Sequence, residues 1–292
     1  MAAMSAMAFS ILNVIVKELS FTLPVGEIAF YRGLFSSIII VGLMRYQHIH
    51  LSHHDVPTLI MRGILGGLGM ICLFYALSGM SLGDVSILSQ LSAFFVVIFA
   101  AIFLHDVLPR KAIIPMGIIV MGASLILHPW NYGTFNSYAV FALAQAVFAA
   151  AAYTTISKLT GGGHHQYEVV FYFLVCATVA GAVIMGRDYI WPHGIEWIYI
   201  LSMGLISVLA QIWMTNAYAW ADPIIVSFVQ YVSVFFNVFW GFIVFNEIMT
   251  ILSIVGGIFI IGGSIYLSKL KRADISSIRK TKPKPRFTKM SQ

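Results

Sequence analysis

Charge is what this sequence has least of. Only 10% of its 292 residues are Asp, Glu, Lys or Arg, against about a quarter in soluble domains, and its mean hydropathy is +0.90. A water-soluble globular domain is excluded. Cysteine is nearly absent: Cys72 and Cys176 both fall inside apolar runs, which argues for small packing residues and against a disulfide framework or a thiolate metal site. No long polar stretch remains to build a soluble domain. The first apolar run begins at Met1 with no basic flank before it and no small-residue cleavage site after it, so it is expected to be a retained helix. No acid/base pair or nucleophile constellation emerges, which weighs against an enzyme acting on a lipid-linked substrate. A passive channel is the other competing class.

What the chain does have is apolar runs long enough to cross a hydrocarbon core about 30 Å thick. Ten are predicted, at roughly residues 2–19, 27–45, 60–80, 84–104, 111–128, 138–157, 167–186, 196–217, 222–245 and 250–269. The expected class is an all-α membrane protein of ten transmembrane helices. Cytoplasmic flanks carry an excess of Lys and Arg. With the N-terminus inside, fourteen of the 17 basic residues are cytoplasmic, among them Arg45, Arg62, Arg110, Lys111, Lys158 and nine in the tail. Only Lys17 and Arg187 face outward and Arg32 lies within a span. Both termini are thus expected inside, with the basic segment 271–292 a disordered tail touching anionic lipid. The pI near 9.3 then reports topology, and no nucleic-acid module is present for it to serve.

Two lysine–glutamate pairs, Lys17/Glu27 and Lys158/Glu168, are displaced by 141 residues, and that displacement holds over the whole chain without a gap. It aligns Phe30 with Phe171, Tyr31 with Tyr172, Gly63 with Gly204, Phe94 with Phe235 and Gly122 with Gly263, and it sets Asp106 against Glu247. The chain is therefore read as two repeats, 1–130 and 138–270, of five helices each. Five is odd, so the second repeat enters the membrane inverted, as in secondary transporters. Each lysine ends one helix and each glutamate opens the next, complementing the helix dipoles. The pairs read as hairpin braces and, in alternating access, as gating residues at opposite faces.

The stretches "FSILNVIVK", "EIAFYRG" and "RGILGGLGMICLFYALSGMSLGDVSILSQLSAFFVVIFAAIFLHD", echoed by "NAYAWADPIIVSFVQYVSVFFNVFWGFIVFNE", resemble the EamA type of the drug/metabolite transporter superfamily over residues 1–270. The resemblance implies a basket in which helices one, three, four, six, eight and nine surround a central cavity, and a role in moving amino acids or other small metabolites. No carboxylate sits mid-span in helix one, where small multidrug exporters of that superfamily hold a proton-coupling glutamate.

Among charged residues Arg32 is the clear intramembrane candidate, for substrate or as an anchor. Asp84 and Asp222 open helices four and nine and read as N-caps. Polar residues that break the repeat are the sharper signal, because a substrate need not respect the symmetry of its scaffold. Gln90, Gln211, Asn216, Gln230 and Asn237 are the expected substrate contacts, with Tyr75, Trp213 and Trp240 as aromatic walls. Those five lack fixed charge, which favours zwitterions or neutral polar molecules. The cluster His48, His50, His53, His54 and Asp55 lacks helical ligand spacing and reads as a solvated loop, so neither a metal nor another cofactor is expected. Trp130, Trp191 and Trp197 read as an interfacial belt, and Gly63 with Gly67 as a close-packing face. The expected function is an inner-membrane metabolite carrier of bacterial type, an exporter first, in a bilayer and with no need for more than a monomer.

Overall fold

A computed structural model describes every residue except 53, 104–109, 128–135, 221–225, 227–228 and 282–292. Within the described residues the chain is helical and contains no strand. In a bilayer the backbone must satisfy its own hydrogen bonds, and a run of apolar residues does so only as a helix. The elements are α1 (Ala2–Leu19), α2 (Val25–Tyr46), α3 (Val56–Gly79), α4 (Leu82–Ser89), α5 (Leu91–Phe103), α6 (Ile113–Leu127), α7 (Tyr138–Gly161), α8 (Gln166–Met185), α9 (Glu196–Trp220), α10 (Val232–Phe245) and α11 (Ile251–Thr281). Six of them, α1, α2, α3, α7, α8 and α9, are long and apolar enough to span a membrane. Shorter apolar helices occupy the places of the other four expected spans. Large apolar side chains such as Ile113, Val183 and Phe235 point outward, while Ser10, Arg32, Gln90 and Asn237 lie inside. That arrangement suits a lipid solvent.

The fourth expected span is two helices. α4 stops at Ser89, Gln90 forms a single turn, and α5 resumes at Leu91. Here the Gln90 amide bonds back to the Ile87 carbonyl at 3.0 Å, a three-residue step in place of four. Tyr231, its partner at the 141-residue displacement, marks the corresponding break before α10. Serine rather than aspartate caps α4: the Ser81 side chain accepts from the Asp84 amide at 3.1 Å, and Asp84 sits in the first turn, where its charge suits the helix dipole. The last helix runs on to Thr281, into the segment 271–292 that was expected to be a disordered tail.

Helix packing follows the repeat. Moving each element to its mate takes α1, α2, α3, α4–α5 and α6 onto α7, α8, α9, α10 and α11. The contacts α1·α9 and α3·α7 exchange, as do α2·α9 and α3·α8, while α2·α8 and α6·α11 map onto themselves. Atomic detail obeys the same rule. A Cβ at Gly63 would meet Cys176 Sγ at 2.6 Å, and one at Gly204 would meet Phe35 Cβ at 2.7 Å; the two contacts are the same pair displaced by 141. A Cβ at Gly122 would lie 2.6 Å from the Gly256 carbonyl oxygen, and one at its mate Gly263 3.1 Å from that of Pro115. Without a hydrophobic force between helices in lipid, such close approach of small residues is what holds them.

Candidate functional site: a polar cavity between the repeats

Residues of α1, α2, α3, α4, α5, α7, α8, α9 and α10 line a central cavity of about 160 Å³. Of the residues expected from sequence, Arg32, Gln90, Gln211, Gln230 and Asn237 line it. Asn237 is the most engaged. Its Nδ2 donates to Ser86 Oγ at 3.2 Å and to the Ser233 carbonyl at 2.8 Å, and its Oδ1 accepts from Asn13 Nδ2 at 3.2 Å. Gln90 reaches from its helix break to the other one, its Nε2 lying 3.4 Å from both the Gln230 carbonyl and Ser233 Oγ. Gln145 Oε1 and Gln230 Nε2 are buried with no hydrogen-bond partner.

Tyr75, Trp213, Asn216 and Trp240 are not on the cavity wall. Along α9 the wall is built by Gln211, Met214 and Tyr218, spaced by three and four residues, so Trp213 and Asn216 turn to another face. Tyr75 stacks on Phe141 at 4.9 Å, and Trp240 packs edge-on against Phe239 at 5.2 Å, one turn beyond Asn237. Asn13, Gln145, Tyr153 and Arg62 line the cavity and were not anticipated.

Arg62 is the main correction. Expected on a cytoplasmic flank, it lies six residues inside α3 and is 2% exposed; Arg32 on α2 is 3% exposed. The cavity therefore carries fixed charge. Arg32 Nε donates to Ser207 Oγ at 2.8 Å, and its guanidinium sits 5.3 Å from the Phe74 ring centre. Arg62 lies 5.1 Å from the Phe173 ring centre, and its Nε and Nη1 have no hydrogen-bond partner. Among the described residues no carboxylate forms an ion pair with either arginine. Tyr153 on α7 is near enough to feel both charges.

Lys17 and Glu27 do not brace their own hairpin. Lys17 pairs with Glu247 beyond the end of α10, and its Nζ also donates to the Met80 carbonyl at 2.7 Å. The other Glu247 oxygen accepts from the Leu82 amide at 2.8 Å, so α1, the start of α4 and the end of α10 are tied at one end of the bundle. Glu27 instead accepts from the Ile190 amide at 3.0 Å, in the loop after α8. Glu168 accepts from the Ser52 amide at 2.7 Å, in the loop after α2, and contacts His164 Nδ1 at 2.9 Å. Each glutamate thus holds a loop of the opposite repeat. The side chains of Lys158, Asp106 and Asp222, with His53, Trp130 and the end of the tail, lie outside the described residues. Among the described residues no cluster of three or more His, Cys, Asp or Glu could hold a metal.

The EamA-like transporter family model matches this chain twice, over residues 1–128 and 137–269. The chain belongs to the EamA-like transporter family. It is 38% identical over 273 residues to the pseudopaline exporter of Pseudomonas aeruginosa, covering 93% of this chain and 96% of that one. A riboflavin transporter of Brucella anthropi is 27% identical over 85% of this chain and 89% of its own. The S-adenosylmethionine uptake transporter of Rickettsia conorii is 23% identical, with 90% of each chain covered. A solved crystal structure shares the fold at a TM-score of 0.64 and 14% identity, over 96% of this chain and 99% of its own. This EamA-family protein is a multi-pass membrane transporter of small molecules and not an enzyme.

Proposed function

We propose that the protein is an alternating-access exporter of small polar or amphipathic, amino-acid-like metabolites, seated in the inner membrane with both termini cytoplasmic. The observation that carries the reading is a polar cavity walled by both repeats, in which two broken helices meet through Gln90 and Gln230. Discontinuous helices at a repeat interface are where secondary transporters hold substrate. Gln90, Gln211, Gln230, Asn237 and Arg32 are the proposed substrate contacts. The Lys17–Glu247 tie is the proposed gate at its end of the bundle, with Glu27, Glu168 and Lys158 as further gating residues. Export, and a cargo resembling pseudopaline, are supported by the 38% identical exporter. The excess of basic residues in the segments taken as cytoplasmic supports the orientation.

The test is counterflow into proteoliposomes preloaded with pseudopaline, beside a panel of amino acids and riboflavin. Saturable uptake of labelled pseudopaline or an amino-acid-like solute is expected. Flux that rises linearly with concentration would mean a channel, and no counterflow with any of these solutes would overturn the reading.

A further inference from the structure

Two guanidinium groups inside one membrane cavity, without a carboxylate to face them, need an explanation. A charge at bilayer depth is costly, and such groups normally pair with each other's opposites or mark a substrate path. Aromatic faces and one serine hydroxyl do not supply a counter-charge. A structural explanation would require the helix packing to need a cation at these positions, and the repeat shows that it does not. Displaced by 141 residues, Arg32 becomes Phe173 and Arg62 becomes Met203. Each of the two positions is therefore filled in the other half by an apolar side chain.

The displacement shows something more. The pair Arg32 and Ser207 maps onto Phe173 and Gly66, which lie against each other. The pair Arg62 and Phe173 maps onto positions 203 and 32. Each of the two equivalent crossings thus holds one arginine, supplied from a different position of the repeat. Arg32 lies seven residues into α2 and Arg62 six residues into α3, about 10 Å from opposite ends of the bundle at 1.5 Å per residue. Phe74, over which Arg32 sits, is twelve residues along α3 from Arg62, about 18 Å of helix. Two cationic stations lie at different depths, with Tyr153 on α7 near both.

We infer that the cavity binds an anionic metabolite bearing at least two separated carboxylates, one at Arg32 and one at Arg62. The assignment rests on the cavity being the transport site, and it replaces the neutral or zwitterionic preference drawn from the uncharged residues alone. Arg62 Nε and Nη1, on two edges of the guanidinium, are N–H donors left free for a carboxylate, and Gln230 Nε2 is a further open donor. Gln145 Oε1 is an open acceptor beside them, suited to an N–H on the same molecule.

The test uses the full chain in lipid nanodiscs and labelled α,ω-dicarboxylates from glutarate to sebacate, with their dimethyl esters and the matching diamines as controls. Saturable binding of diacids with an optimum chain length is expected, and none of esters or diamines. Arg32→Gln and Arg62→Gln should each weaken diacid binding about tenfold or more, the scale of one lost charge-assisted pair. Arg62→Lys should keep part of it. For the wild-type protein, the diacid that binds should also shield Arg32 and Arg62 from phenylglyoxal, read by mass spectrometry, which serves if a glutamine variant does not fold. Esters binding as tightly as diacids, glutamine variants with wild-type affinity, or no shielding by any diacid would overturn the assignment. Counterflow of a solute that is indifferent to both arginines overturns this assignment and leaves the transport reading intact. Arginine-dependent diacid binding without counterflow does the reverse.

Discussion

At Asn237 one amide side chain joins α1, α4 and α10 through Asn13, Ser86 and the Ser233 carbonyl. Replacing it by Leu keeps the size and strands these partners, at about 1 to 3 kcal/mol per unsatisfied group. Counterflow by Asn237→Leu should fall well below wild type, whereas Asn216→Leu, on the other face of α9, should keep wild-type affinity. Gly66 is a second sensitive position, because a Cβ there would run into Arg62 Nη1 and lie 2.6 Å from the Phe173 ring. Gly66→Ala should destabilise by about 1 to 3 kcal/mol, while Gly42→Ala, with nothing within 4 Å of the new carbon, should be neutral or gain up to ~1 kcal/mol of helix propensity; thermal unfolding in detergent compares them. Breaking of the repeat made Gln90, Gln211, Gln230 and Asn237 legible in the sequence. Trp213 and Asn216 break it equally well, and only the 100° turn per residue separates them from Gln211. Arg62 was hidden by a helix start: placed at residue 60 it is a flank, and from Val56 it is well inside.

Among the elements, the glutamates that open α2 and α8 are the ones whose partners sequence could not supply. A displacement of 141 residues reveals which positions are equivalent and carries no information about which positions touch. Glu27 and Glu168 were correctly set as mates, yet each reaches across to the other repeat's loop. Glu168→Ala should therefore raise amide exchange in residues 47–55 and leave 186–195 protected, and Glu27→Ala should do the opposite. Exchange read by mass spectrometry checks the crossing, and equal loosening of both loops by either variant would contradict it. The break at Gln90 was also silent in the sequence, because neither Pro nor Gly marks it. It depends on tertiary contact, in which Gln90 bridges to the break before α10.

Across the whole molecule the repeat was fully legible, since an odd number of spans and a constant displacement need no side-chain geometry. What remained hidden is that the two halves are interlocked. Glu247→Gln leaves Lys17 nearly buried without its counter-charge, a loss of about 3 to 5 kcal/mol when one partner of a buried pair is removed. Lys17→Met in the same background should recover most of it, and thermal unfolding of the two variants decides. The tie also bears on how the chain is made. Lys17 and Glu247 are 230 residues apart, so at roughly 5 to 20 residues per second the lysine on the first helix waits on the order of ten to fifty seconds before the ribosome delivers its acid. During that interval the first repeat exists in the membrane with an unneutralised cation at its edge and with the loop after α2 unanchored, because Glu168 too belongs to the later half. A nascent chain stopped before α10 is thereby chemically marked as unfinished, and membrane proteases should clear it faster than a full-length chain of equal expression.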